Sequence, residues 1–326
     1  MQRLLTSILI VLLLSSTAMT EEGQGGYAGA FFQVPIGARP TAMGGAYIGV
    51  SNDGAGFLFN PAGLSKLPQP LFASSYRALQ LDRKLGYATA LFPVRGNSVL
   101  GGSWLYAGSG SVATRDRDGV PIGTEIQQHS HQFSIVFAKQ FEDNISAGVK
   151  LNYLHSVFAE MGAYSIGFDF GLMLHIDQLV DREKRDLMPV KDIQVGLAVR
   201  QLGMKYRWDT ENLPAELGGD VFAYEQDDDV PVNIGLGASA RFFERKLLLA
   251  ADITKNLKQN IIPHVGGEYM VTDQFALRAG YGDYRVTGGI GYLFKFAKNS
   301  LAIDYAFSTD RIDEGSEHIF SFDLLF

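Results

Sequence analysis

The sequence predicts an all-β protein: a transmembrane antiparallel β-barrel of about fourteen strands with an N-terminal hatch inside its lumen. Three observations lead there. From residue 69 onward, apolar side chains alternate with small, polar or charged ones. The alternating segments run for about 10 to 14 residues, where strands of soluble sheets usually have five or six. The chain also ends inside such a segment, on Phe326.

The alternation is plainest in the second half of the chain. Ile166, Phe168, Phe170, Leu172 and Leu174 share one phase against Ser165, Gly167, Asp169, Gly171 and Met173. Leu301, Ile303, Tyr305 and Phe307 oppose Ala302, Asp304, Ala306 and Ser308 in the same way. Segments of this kind start near residues 69, 83, 97, 126, 144, 162, 192, 230, 246, 259, 274, 286, 299 and 317. At about 3.3 Å per residue and a tilt near 40°, roughly ten residues climb about 25 Å, the height of a barrel's apolar band.

Connection lengths alternate as well. Arg95-Gly96-Asn97, Glu142-Asp143-Asn144, Glu244-Arg245, Thr272-Asp273 and Lys298-Asn299 read as tight turns. Residues 107–125, 203–229 and 308–316 read as long loops, with the acidic run 225–229 a solvated loop tip. Short periplasmic turns and long external loops place both termini in the periplasm of a bacterial outer membrane. The connection 177–191 breaks the pattern and reads as an amphipathic excursion. Phe322, Leu324 and Phe326 lie in one phase of the last strand, which is placed to close the ring; a terminal Phe in this setting resembles the C-terminal assembly signal of bacterial outer-membrane barrels.

Composition narrows the function classes. With no cysteine among 326 residues, disulfides and thiolate metal sites are excluded. A net charge of −7 argues against nucleic-acid partners. Residues 1–20 read as a secretory signal peptide, with Arg3 in the charged region and an apolar run over 8–14 that is too short to span a bilayer. The domains are then 1–20 signal peptide, 21–68 hatch and 69–326 barrel.

Residues 31–64 follow neither helical nor strand periodicity. Glycines recur, and between them Phe31, Phe32, Met43, Tyr47, Phe57 and Phe59 demand burial. Asn60-Pro61 reads as a helix start, with Asn as cap and Pro in the first helical position. Asp53 reads as the cap of a glycine turn or the partner of a lumen cation. Such a stretch cannot cover its own apolar anchors, so it needs a container.

Pro35-x-x-Ala38-Arg39-x-x-x-Met43-Gly44-Gly45-Ala46, then Ser51-x-Asp53 and Asn60-Pro61-Ala62-Gly63-Leu64, resembles the N-terminal segment of PorV/PorQ-type outer-membrane proteins, relatives of the FadL/TodX fatty acid transporters. The resemblance implies a fourteen-stranded barrel with this segment as its hatch. It also implies passive transport of hydrophobic small molecules or, alternatively, a structural role beside secretion-system proteins or in cell-surface attachment. Phe31, Phe32, Phe57 and Phe59 are the candidate ligand pocket; hatch packing is the other reading of the same four rings.

The inward phase carries Lys150, Arg200, Arg241 and Arg278 with Asp169, Asp252, Asp304 and Asp323. One reading is a lining that guides a solute; the other is a network of paired charges holding hatch to wall. No catalytic constellation, metal site or cofactor motif is expected. Ala163-Tyr164-Ser165-Ile166-Gly167 lacks the first glycine of a nucleophile elbow and lies within a strand, and His129 and His131 share the outward phase of Phe133.

Overall fold

The computed structural model describes residues 28–80, 82–116, 118–158, 161–209, 225–309 and 315–326. The signal-peptide expectation therefore lies outside the described residues. The wall begins with β1 (Leu71–Ala78), β2 (Lys84–Val94) and β3 (Ser98–Gly108). A separate hairpin follows, β4 (Val112–Arg115) with β5 (Pro121–Ile126). The wall resumes as β6 (Gln128–Glu142), β7 (Ile145–Phe158), β8 (Met161–His175) and β9 (Lys191–Leu202). After β10 (Lys205–Asp209) and β11 (Glu225–Asp229) come β12 (Asn233–Phe242), β13 (Leu247–Asn256) and β14 (Ile261–Met270). The last four are β15 (Phe275–Gly282), β16 (Arg285–Phe296), β17 (Asn299–Ser308) and β18 (Glu317–Leu325).

Fourteen of these form one closed antiparallel ring, in the order β8-β7-β6-β3-β2-β1-β18-β17-β16-β15-β14-β13-β12-β9 and back to β8. Closure is made by the first and last wall strands, whose register runs from Leu71 opposite Leu325 to Ala78 opposite His318. The Phe326 amide adds a bond to the Pro70 carbonyl at 3.0 Å. No wall strand is left with an open edge along its main ladder, which lets the backbone cross an apolar medium.

The alternation sorts side chains as the sequence implies. Ile135, Ile166, Leu236, Phe320 and Phe322 face outward and are exposed, while Ser134, Asp169, Gly237 and Ser321 face inward and are buried. Trp104 stacks on His131, and Tyr106 on His129, along the outer face of β3 and β6 near the loop end. Ala163 to Gly167 lies within β8, with Ser165 facing the interior.

Two expectations about connections need correction. The stretches 107–125 and 203–229 are not plain loops, because each carries paired strands. The acidic run Glu225–Asp229 is β11, opposite β10, and is held there by cross-strand charge. Lys205 pairs with Asp229 at 3.1 Å, Arg207 with Asp227 at 3.3 Å, and Trp208 Nε1 donates to Asp228 at 3.0 Å. Opposite charges on facing positions offset the low strand propensity of aspartate. The connection after β8 folds into a 3₁₀ turn, Ile176–Leu179, and a short helix, Arg182–Asp186.

Within the ring lies the N-terminal segment. It contains a 3₁₀ turn at Ala30–Gln33, single helical turns at Ala38–Ala42 and Gly56–Phe59, and a second 3₁₀ helix at Pro61–Lys66. Ala38, Ala42, Met43, Ala46, Tyr47, Ala62 and Leu64 have no solvent exposure.

Candidate functional site

An irregular backbone inside a barrel needs partners for its amides and carbonyls, since few lie within its own short helices. Wall side chains supply them. Asp252 of β13 accepts from the Tyr47 amide at 2.6 Å and the Ile48 amide at 2.7 Å. Ser321 of β18 accepts from the Ala38 amide at 2.7 Å, and Asp323 from the Gly54 amide at 3.1 Å. Thr287 of β16 accepts from Gly44 and donates to the Ala42 carbonyl, both at 3.1 Å. Ser239 of β12 donates to the Gly49 carbonyl at 2.7 Å. These anchors come from β12, β13, β16 and β18, one half of the ring.

Two wall cations serve the exposed carbonyls of the Gly56–Phe59 turn. Lys150 donates to the Phe57 carbonyl at 3.1 Å and pairs with Asp169 at 2.7 Å. Arg200 donates to the Leu58 carbonyl at 2.9 Å. Positive charge at the C-terminal end of a helical turn is the favourable sign. Asn60 follows at once. Its Oδ1 accepts from the Ala62 amide at 3.1 Å, and its Nδ2 donates to the Ile48 and Leu172 carbonyls at 3.1 and 3.0 Å. The residue expected as a cap is a cap, on a 3₁₀ helix, and it also ties the segment to β8. Gly63 and Leu64 complete that turn, Gly63 close against Ser51 and Leu64 packed with Phe57.

Arg39 is the densest node. Its guanidinium forks onto Glu268, Nε to Oε2 at 2.7 Å and Nη2 to Oε1 at 2.9 Å, while Nη1 donates to the Tyr47 hydroxyl, Asn52 and Asp53 at 2.9, 2.7 and 3.2 Å. Glu268 passes the chain on to Arg278 at 2.8 Å, and Arg278 to Asp304 at 2.6 Å. Tyr47 in turn donates to Asp53. Burial works against the charge on Arg39, but the groups round it, Glu268 foremost and Asp53 with it, together outweigh burial and raise its pKa well above the ordinary value. Burial likewise drives the Tyr47 hydroxyl well above its usual range. Asp53 accepts from the Ala55 amide at 3.0 Å, capping the turn that follows it, and pairs with Arg39 of the segment and not with a cation of the wall.

Of the eight predicted interior charges, Lys150, Asp169, Arg200, Asp252, Arg278, Asp304 and Asp323 bind the segment or one another inside the ring. Arg241 stands at the turn end, paired with Asp192 at 3.8 Å and with Glu268 at 3.9 Å. Sequence reasoning missed Glu268, the hub, together with Arg77, Glu317 and Arg285. The signal was there: Arg77 shares the inward phase of Ser75, and Glu268 that of Gly266 and His264. The glycines and proline of β14 had hidden its alternation.

The four phenylalanines do not form one pocket. Phe57 packs edge-on against Tyr87 at 5.4 Å and under Lys150 at 5.3 Å, fully enclosed. Phe31 and Phe32 lie together at 4.3 Å, and Phe59 meets Tyr47 at 5.3 Å. A cavity of about 170 Å³ opens between Phe32 and Phe59 and the wall, bordered by Arg77, Arg200, His264 and Arg285. A wider one of about 640 Å³ lies toward the loop end, between Phe31, Leu85, Tyr206 and Trp208. Residues 30–34 stand between the two.

No family model matches the sequence, and no curated protein matches it. Solved structures do. The toluene transporter TbuX of Ralstonia pickettii aligns with TM-score 0.61 at 13% identity, covering 89% of this chain and 98% of that one. The toluene transporter TodX of Pseudomonas putida aligns with TM-score 0.57 at 13% identity, covering 87% and 95%. A FadL homologue of Pseudomonas aeruginosa aligns with TM-score 0.58 at 13% identity, covering 90% and 98%. The protein therefore has the fold of the FadL/TodX outer-membrane barrels. The FadL/TodX side of the motif resemblance agrees with that fold, and no match carries its PorV/PorQ side.

Proposed function

We propose that this protein is a non-catalytic, passive channel for hydrophobic small molecules in a bacterial outer membrane, with residues 21–68 as its hatch and 69–326 as its barrel. The observation that supports the reading best is the pair of cavities on either side of residues 30–34, within a wall whose outward face is apolar along every strand. Both cavities are reached from the loop end, the smaller beside Gln259, Asp283 and Arg285 and the wider beside Arg83, Lys84 and Lys258, and a small solute in either meets the edge of the Phe31–Phe32 pair. Arg39, Met43, Gly44, Gly45, Asp53, Asn60, Pro61, Gly63 and Leu64 hold the hatch in place and do not touch a reacting group. The secretion-partner alternative rests on the motif resemblance alone. The test is uptake of a radiolabelled neutral monoaromatic by cells producing the protein. Uptake above that of cells with empty vector is expected; equal uptake would remove the transport reading.

A further inference from the structure

The enclosed segment passes through the ring from one end to the other. Pro70, just after it, lies at the turn end, where its carbonyl accepts from the Phe326 amide at 3.0 Å. Ala28 and Gly29 lie at the opposite end. They border the wider cavity together with Lys84, Gly108, Gln128 and Lys258, which stand at the loop ends of their strands. Ala28 packs there beside Phe31 and Phe32 against Leu154, Tyr206 and Val230. Fourteen wall strands, an even number, bring the chain back to the side on which they began, so Pro70 and Phe326 share the turn end. The segment itself makes one further crossing, which strand parity does not count. Gly29 fixes its direction at the loop end: φ is +70°, and a Cβ there would stand 2.8 Å from the Phe32 ring and 3.1 Å from Val230.

The rim of the wider cavity carries Arg83, Lys84 and Lys258, all exposed. Its two carboxylates are already engaged, Asp228 accepting from Trp208 at 3.0 Å and Asp229 pairing with Lys205 at 3.1 Å. The residues that lead into Ala28 are Glu21-Glu22-Gly23-Gln24-Gly25-Gly26-Tyr27. We infer that residues 21–27 occupy the wider cavity, with Glu21 and Glu22 against Lys84 and Lys258 at its rim, and that the amino end of the chain lies on the side of the loops. The stretch is continuous with Ala28, and its two carboxylates oppose the sign of the rim. Tyr27 brings a ring to the apolar side formed by Leu85, Tyr206 and Trp208. Seven extended residues reach at most about 24 Å, and the way back to the turn end is filled by the buried Ala38, Met43, Tyr47, Phe57 and Leu64. The segment then competes with any solute for this cavity. The inference rests on the path of the chain and on charge, independently of the channel reading.

The experiment places single cysteines at Gly23, Asp116 and Asp273 of the whole protein, one at a time, and offers an impermeant maleimide to intact cells. Gly23→Cys is expected to react as Asp116→Cys does in the β4–β5 hairpin, and not as Asp273→Cys does in the turn before β15. Reaction in the manner of Asp273→Cys would overturn the inference, whichever end of the barrel faces outward. Occupancy is read in detergent from the pair Gly23→Cys/Ser109→Cys, Ser109 lying on the cavity wall. Oxidation with copper phenanthroline should give an intrachain disulfide, found by mass spectrometry of the digest. Its yield should fall several-fold once Glu21→Gln and Glu22→Gln are added. A reactive Gly23→Cys that forms no cross-link would assign the cavity to another occupant and overturn the inference; an undiminished cross-link without the two carboxylates would overturn their pairing with the rim. Heat-modifiable mobility checks that each variant is folded. None of these readouts measures uptake, so failure here leaves the channel reading standing, and failure of uptake leaves this one.

Discussion

Arg39 and Glu268 stand 229 positions apart in the chain and face each other as a two-pronged pair, 2.7 Å from Nε to Oε2 and 2.9 Å from Nη2 to Oε1. One belongs to the enclosed segment and the other to β14, so the pair is one of several points at which the segment is fastened to the wall. Arg39→Met takes both prongs from the wall together with the bonds to Tyr47, Asn52 and Asp53, while Glu268 keeps Arg278 at 2.8 Å. A loss of about 3 kcal/mol is expected. The check is the frequency of opening bursts in single-channel recordings of this variant beside wild type; equal frequencies would mean that the pair does not couple the segment to the wall.

Removing residues 31–64 should leave the ring assembled, because β1 to β18 close their ladder without them. Emptied, a lumen ringed by fourteen strands holds water, and conductance should rise sharply. Gly44→Val should act the same way more weakly. Gly44 has φ +65°, and a Cβ there would stand 2.5 Å from the Tyr281 amide nitrogen. Near-zero conductance from an assembled deletion variant would show that the segment does not occlude the lumen.

Asn60→Ala removes a cap, at about 1 kcal/mol, and two further hydrogen bonds worth about 1 kcal/mol each. The sum exceeds a surface cap because Nδ2 binds Ile48 on the segment and Leu172 on the wall. Limited proteolysis of the folded barrel should cut the variant segment faster than wild type. Asn60→Asp keeps the cap but loses both donors, and should fall between the two.

Phe326→Asp should reduce the yield of inserted barrel. Phe326 is exposed on the outer face next to the closure of β1 on β18. A charge there meets lipid or the interface at a cost of about 1–3 kcal/mol. Heat-modifiable mobility on gels measures the folded fraction, and wild-type yield would show that the terminus is dispensable for assembly.

The absence of native cysteine makes the topology directly testable. Single cysteines at Asp116, in the β4–β5 hairpin, should react with an impermeant maleimide on intact cells. Cysteines at Asp273, in the tight turn before β15, should react only after lysis. The reverse pattern would invert the barrel in the membrane.

The alternation of residues 69–326 was enough to determine strand number, the approximate start of each wall strand and the side each side chain faces, since a period of two leaves a strand little choice of face once one side meets lipid. Motif order in residues 31–64 likewise announced an enclosed segment capped at Asn60. What only the tertiary structure decided is which interior charges meet. Lys150 finds Asp169 directly across adjacent strands, and register alone would have brought them together. Arg39 finds Glu268 because the helical turn at Ala38–Ala42 settles between β14 and β18, a placement set by packing over the whole ring and written in no local pattern. The fate of Glu225–Asp229 was likewise hidden, because the charges that make those residues a strand lie on β10, some twenty positions earlier. The three arginines around the smaller cavity come from β1, β9 and β16, strands that are not neighbours; closure of the ring is what turns them toward one space.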